Sequence, residues 1–567
     1  MAPAARRGEN ARMKRLRPAL LGSLLALSCI PAAWAQDVST LDRQALDAYR
    51  AKDFGRSADL FARALAAAPE DEAGRLYNAA CATALAGRSG ASIGLLQRAA
   101  EAGFQDADTM AKDSDLASLH ADPRWSSLLA RVRQNQARVQ LQWKSPAIAT
   151  PWREQISEDE RLAGLSRLWS EAKFNFVNFD KVPELDWDAL YVATIPKVRA
   201  AGNTLEYYRV LAAFVAQLQD GHSNVWPALD HLDQAWARPG VETRLVEGRV
   251  FVTAVHDPRI EAMGVARGWE LVGVRGEPVR AFAEREVLPY QSASTPHDRL
   301  SRTYERALLA GPIDETIAVD FHDGRGRPRT LELPRSSVTT PPAAGAPPAF
   351  AWELLPGNIA WVRLRSFGDD SAASAFEAAF EEISRADGLV LDVRENGGGN
   401  SDVGYRILST LTDKPFLSTA WSTRSYRPSF RAWGQPEARY RSEPDARPPS
   451  GVRLYRKPVV VLTSPRTYSA AEDFTVAFDV MDRGRIIGEP TGGSTGQPLL
   501  FPLPGGGTGR VCTKRDVYPD GREFVGVGVQ PDLRVAQTLA DLGAGRDTVL
   551  ETAAALLRDR RDTTSAN

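Results

Sequence analysis

Residues 457–478 read KPVVVLTSPRTYSAAEDFTVAF, and the fold of the C-terminal part of the chain turns on them. The run 459–462 is short, apolar and β-branched, the pattern of a strand buried on both faces. Residues 463–466 break it with polar side chains and a proline. From Ala470 the apolar positions Ala471, Phe474, Ala477 and Phe478 follow a helical period. Glu472 and Asp473 fall in the first turn, where carboxylates suit the helix dipole. Ser469 therefore stands where a buried strand turns into a helix. A serine there is held clear of the core, and the first free N–H groups of the helix face whatever its hydroxyl approaches. An ordinary N-cap serine has the same signature, so this stretch alone leaves both readings open.

The 567 residues leave room for roughly two to four domains. With 43% hydrophobic and 25% charged residues, the bulk of the chain is expected to be globular. The first 35 residues hold six Arg/Lys and one Glu; without them the formal net charge moves from −1 to −6, which gives nucleic-acid binding no support. The six histidines (120, 222, 231, 256, 297, 322) are scattered. Of three cysteines, Cys29 lies in the basic leader, and Cys81 and Cys512 fall in separate regions. Neither a disulfide framework nor a CxxC pair is present, and no metal or organic cofactor is expected.

Residues 1–35 read as an export signal. Arg12, Lys14, Arg15 and Arg17 precede an apolar run over 19–30, and Ala33-Trp34-Ala35 offers a small-x-small cleavage site before Gln36. Met13 is a second candidate start. Leu27 spoils a lipoprotein signal at Cys29, since a small residue is usual there. No later segment is long and apolar enough to span a bilayer. The mature protein is expected in the periplasm or secreted, without a transmembrane segment.

Residues 37–145 are helical and repetitive. A shift of about 34 residues lays Phe61 on Leu95 and Ser57 on Ala91, and this region resembles tetratricopeptide repeats, which dock protein or peptide partners; a plain helical hairpin is the alternative. A second helical block, 152–235, ends in Gln-Leu-Gln-Asp-Gly-His-Ser (217–223), where a helix stop at Asp-Gly delivers His222 onto a tight turn. Residues 236–336 turn to strands, with GVARGWELVGVRGEPV (264–279) resembling the core of PDZ domains, which hold a peptide as an added strand or grip its carboxylate. A small β-domain that only positions its neighbours fits as well. Residues 337–349 are a Pro-rich linker. Over 350–560 strands alternate with helices, which implies a largely parallel sheet covered by helices.

Within that last module, LDVRENGGGN (391–400) is a buried strand running into three glycines. Such a turn lets main-chain amides approach a bound atom closely and can stabilise an oxyanion. A phosphate loop would require a following Gly-Lys-Ser/Thr, which is missing; a merely tight turn stays open.

Together DGHS (220–223), LDVRENGGG (391–399), TYSAAEDF (467–474), GEPTGGSTG (488–496) and GVGVQPD (526–532) resemble the C-terminal-processing (tail-specific) serine peptidase family, over residues 155–535. That family includes the tricorn protease core and the retinoid-binding modules of the vertebrate eye. The resemblance implies a crotonase-like α/β core and an exported peptidase acting on polypeptides or oligopeptides. The nucleophile falls on Ser469, and the oxyanion donors fall on the amides of Ala470 and Gly398, with Gly397 the neighbouring candidate. The processing-protease branch carries a lysine base where this chain has Ser494. A hydroxyl cannot replace an amine as general base near neutral pH. The tricorn-like branch uses histidine and glutamate, and its histidine falls on His222. The orienting carboxylate falls near Val525, so Glu523, two residues earlier on one face of a strand, is expected to fill the role, with Glu489 and Glu472 as alternatives. Gly221 stands where the tricorn core has a further serine, a place Ser223 is a candidate to supply. The rival reading is a binding protein that retains the fold without catalysis, as the retinoid carriers do.

Overall fold

The computed structural model describes residues 32–68, 72–339 and 347–564. The expected leader lies outside the described residues through position 31, as does the linker over 340–346. The chain divides into two compact units after Ser145.

The first unit consists of paired helices: Ala32–Arg50 with Phe54–Ala67, then Ala73–Leu85 with Ser89–Glu101, followed by Ala107–Lys112 and Trp125–Trp143. In each pair a buried serine of the second helix donates to a carbonyl of the first. Ser57 Oγ reaches Ala45 O at 2.8 Å, and Ser92 Oγ reaches Ala80 O at 2.7 Å. Serines 57 and 92, like alanines 45 and 80, are 35 positions apart. The structural period is thus one residue longer than the shift of about 34, and Phe61 corresponds to Leu96, both buried. Small side chains at these contacts let the helices approach closely.

The centre of the second unit is a six-stranded sheet in the order Leu533–Arg534, Gly484–Gly488, Val459–Thr463, Gly388–Asp392, Ile359–Leu364, Phe350–Leu355. All neighbours are parallel except the last pair. The 388–392 and 459–463 strands are buried at every position, because helices cover both faces. Ser371–Ile383, Ser401–Leu408 and Ala470–Val480 pack on one face and Thr548–Thr564 on the other. Phe474 and Phe478 are fully buried, each such side chain stabilising the fold by roughly 1.5–3 kcal/mol. Since Asp392 lies beside Leu462 in a parallel pair, the turns that follow both strands emerge at one edge of the sheet. Open α/β sheets hold their ligands at that edge.

Helices Glu158–Asn175, Trp187–Ala200 and Thr204–Ala216 pack around Phe176, Trp187, Tyr207 and Phe214. Phe501, Leu503 and Val511 complete that core from the hairpin Pro498–Pro502/Thr508–Cys512. The short strand Asn224–Trp226 pairs antiparallel with Thr508–Cys512. Residues 498–512 therefore bind the helical block to the sheet module, and one core spans the border drawn between them from sequence. Between the two in the chain lies an antiparallel sheet of Val241–Val246, Arg249–Val255, Glu270–Val274, Thr316–His322 and Pro328–Pro334, built on Val252, Leu271, Val319 and Phe321. Among the described residues no helix is long and apolar enough to cross a membrane.

Candidate active site

Ser469 follows the polar break after Val459–Thr463 and immediately precedes the helix Ala470–Val480. Its backbone is at φ 56°, ψ −127°, a conformation that costs a non-glycine residue about 1–3 kcal/mol and persists only where the surroundings hold it. Three hydrogen bonds do so here. Tyr468 N–H donates to Asn396 O at 3.0 Å, and Ser469 N–H is shared between Ser494 O and Glu472 Oε2, both at 3.2 Å. The hydroxyl meets His222 Nε2 at 3.1 Å. Ser469 thus occupies the N-cap position, yet its hydroxyl is turned to an imidazole from the other end of the unit.

The imidazole is positioned by the turn that follows the helix Thr204–Ala216. Gln219 takes a positive φ of 48°. Asp220, buried, accepts from His222 N–H (3.0 Å) and Ser223 Oγ (2.8 Å) through one oxygen and from Asn178 Nδ2 (3.1 Å) through the other. The ring is buried and stacks on Tyr468 with centroids 5.2 Å apart. Nδ1 lies 2.8 Å from Ser494 Oγ. For Nε2 to accept the Ser469 proton, Nδ1 must carry hydrogen and donate to Ser494, a tautomer this contact favours. Burial, then Arg510, Arg302 and Lys514, pushes the imidazole pKa down to about 3, so the ring is neutral and able to accept a proton across the physiological range.

Behind the pair lies Glu472, fully buried. Its Oε1 accepts from Thr491 Oγ1 (2.6 Å) and Gly493 N–H (2.7 Å), and its Oε2 from Ser494 N–H (2.9 Å), Thr495 Oγ1 (3.1 Å) and Ser469 N–H. One carboxylate thereby fixes the backbone of Ser469 and of Ser494, the residues on either side of the imidazole. Burial raises it to about 7 against the lowering effect of these donors.

The structure brings Ser469, His222, Ala470 and Gly398 together and leaves Glu523 away from them. Glu523 is ion-paired to Lys181 and, at 3.4 Å, to Arg515, and its side chain is 45% exposed. These partners hold its carboxyl below the usual range. The expectation assumed strand alternation through 523–525. Instead, Phe524 and Val525 are both buried at the start of a turn in which Gly526 and Gly528 have φ of 81° and 85°. Glu489 lies in the field of Arg244, Glu305 and His297, also away from the ring. Gly398 touches the serine: a Cβ on it would lie 2.6 Å from Ser469 Cβ. Its N–H donates to Asn396 Oδ1 at 2.9 Å. Ser223 is engaged by Asp220 and by Cys512 N–H, and a Cβ on Gly221 would collide with Tyr468 Oη, so no serine fits at 221. The sequence alone showed Ser494 only as a lost lysine and left Glu472 as an alternative behind Glu523. The Ser-x-x-Glu spacing of a capping box was the available signal for Glu472.

A parallel sheet, a strained serine at a strand-to-helix turn and a neutral imidazole on its hydroxyl define an α/β fold of the serine-hydrolase kind. Residues 358–535 match Peptidase family S41. It is 32% identical over 243 residues to the chloroplastic C-terminal processing peptidase of Tetradesmus obliquus, covering 40% of this chain and 48% of that one. It is 25% identical over 272 residues to the carboxyl-terminal-processing protease of Synechocystis sp., covering 47% and 58%. The matches thus span about half the length of these relatives. The solved structure of mature CPAF shares the fold, with a TM-score of 0.55 at 16% identity over 71% of this chain and 97% of that one.

Proposed function

We propose that the protein is a serine peptidase acting on polypeptide or oligopeptide substrates. Ser469 Oγ attacks the scissile carbonyl while its proton passes to His222 Nε2. The imidazolium returns that proton to the leaving amine, and water, deprotonated by the same nitrogen, frees the acyl group. The amide of Ala470, the first of its helix, and the glycine turn at Gly398 receive the oxyanion, the latter once Asn396 Oδ1 releases its N–H. Ser494 takes the place of an orienting carboxylate on Nδ1, and Glu472 holds Ser494 in place. The contact that carries this reading is the 3.1 Å approach of Ser469 Oγ to Nε2 of a buried, neutral His222. The basic-apolar leader over 1–35 supports export to the periplasm or beyond. The paired helices of 37–145 and the sheet within 236–336 are suited to recruit a protein partner and to present a peptide segment.

A fluorophosphonate probe tests the reaction without a known substrate. The expected result is a single adduct on Ser469, located by mass mapping, that disappears in Ser469→Ala together with peptide hydrolysis. An adduct elsewhere, or unchanged turnover in that variant, overturns the proposal.

A further inference from the structure

A cavity of about 330 Å³ opens beside Ser469, bounded by Gly399, Asn400, Ser401, Ala470, Asp473, Gly496, Gln497 and Lys514. Volumes from roughly 300 Å³ upward suit a bound group. In an acyl-transfer reaction the side chain next to the attacked carbonyl leaves the backbone one carbon from the reacting centre. A cavity with the nucleophile in its own wall is where that side chain goes.

The chemistry of the wall is one-sided. Ala470 is its largest apolar residue. Asp473 is 4% exposed, and only one of its oxygens is satisfied: Oδ2 accepts from Ser401 Oγ at 2.6 Å, whereas Oδ1 has no hydrogen-bond partner among the described residues. Behind it Asp516, fully buried, uses one oxygen to bind Lys514 Nζ at 2.9 Å and leaves Oδ2 unpartnered. Two carboxylates thus face one ammonium, and that ammonium is already engaged. A buried carboxylate oxygen without a donor carries a desolvation cost unless something arrives to satisfy it. Burial, and next the nearby Asp516, raises the Asp473 carboxyl to about 7.

We propose that this cavity is the specificity pocket of the peptidase and accepts lysine or arginine on the acyl side of the cut, with Asp473 as the recognising group. The inference rests on the peptidase reading. An aliphatic side chain would leave Asp473 Oδ1 unpaired in a drier site. An acidic side chain would meet Asp473, with the ammonium of the wall already bound to Asp516. Recognition through a buried hydrogen-bonding group discriminates more steeply than apolar fit does.

The test is a set of fluorogenic peptides identical except at that position (Arg, Lys, Gln, Leu, Ala, Asp), assayed on the full chain with fluorophosphonate labelling in parallel. We expect kcat/KM for Arg and Lys to exceed that for Leu and Gln by at least tenfold, with Asp lowest. In Asp473→Asn the ratio of Arg to Leu falls by about tenfold, and in Lys514→Met it rises. A labelled enzyme that prefers Leu, Ala or Asp overturns the pocket assignment and leaves the peptidase reading standing. So does an Arg-to-Leu ratio unchanged in Asp473→Asn. No labelling and no hydrolysis of any peptide overturns both. The wild-type profile decides the matter even if Asp473→Asn does not fold.

Discussion

Glu472 and Glu523 were both candidates for the same role, and the fold treats them in opposite ways. Glu472 is sealed in the core with five hydrogen-bond donors, three of them main-chain N–H groups, and its carboxyl is pushed up to about 7. Glu523 is 45% exposed on a hairpin, held by Lys181 and Arg515, and its carboxyl is lowered. The first shapes a loop, because each main-chain donor it accepts fixes a backbone position. The second joins two surface segments, and an exposed ion pair contributes little, about 0–1 kcal/mol. The place of a glutamate in a family motif is therefore a poor guide to which one serves the imidazole. The donors each one collects are a better guide.

Four experiments can break or sharpen this contrast. The largest effect belongs to the pair that both glutamates were weighed against: His222→Ala lowers kcat/KM by about 10³-fold or more, nearly as far as loss of Ser469, because the two act as a unit. Steady-state kinetics checks it, and a loss under tenfold would leave Glu472 nothing to support.

Glu472→Gln follows, with a drop of about 10–100-fold, since an amide turns an N–H₂ toward donors that need an acceptor. It also alters the pH dependence. His222 is neutral above about 3, so the rising limb of wild-type kcat/KM is expected near 7, where Glu472 ionises and can accept from all five donors. The glutamine variant loses the part of that limb due to Glu472 and keeps the part due to Asp473, which is also raised to about 7. Stability runs the other way: a carboxyl raised from 4.5 to about 7 on folding adds stability at low pH that is lost between those values as pH rises, and urea titrations of the variant should show that part of the curve flattened.

Ser494→Ala comes third, at about tenfold in kcat/KM, because the Nδ1 proton loses its acceptor and the tautomer is held less firmly. Glu523→Gln is the smallest, within about twofold, with a slight change in melting temperature. A hundredfold loss there would mean that the 517–523 hairpin swings onto the imidazole during turnover, and the contrast would collapse.

The places of Ser469 and His222 could be read from sequence because each sits at a boundary that local rules define, Ser469 between a β-branched run and a helical period and His222 after a helix that stops at Asp-Gly; their proposed roles came from the family resemblance. The parallel sheet followed from the same alternation of strands and helices. The repeat spacing was misjudged by one residue because Phe61 and Leu95 are both apolar, and only the serine-to-carbonyl bonds at Ser57 and Ser92 fix the phase. Glu523 was misplaced because a period of two was carried into glycines with positive φ. The role of Ser494 could not be foreseen: its hydroxyl reaches Nδ1 only through the conformation that Glu472 imposes on residues 491–495, and a long-range hydrogen bond leaves no periodic trace. The shared core at 498–512 was hidden for a related reason, since Phe501 and Val511 look like ordinary strand residues until their partners are known.

The strand Asn224–Trp226, just past His222, has as its neighbour Thr508–Cys512, nearly 300 residues further on. A ribosome making this protein releases the imidazole segment long before the strand that will seat it exists. The hydroxyl and the imidazole can be clamped together only after the strand that ends at Cys512 has been made. Until then a chain built in this order cannot assemble the proposed catalytic pair.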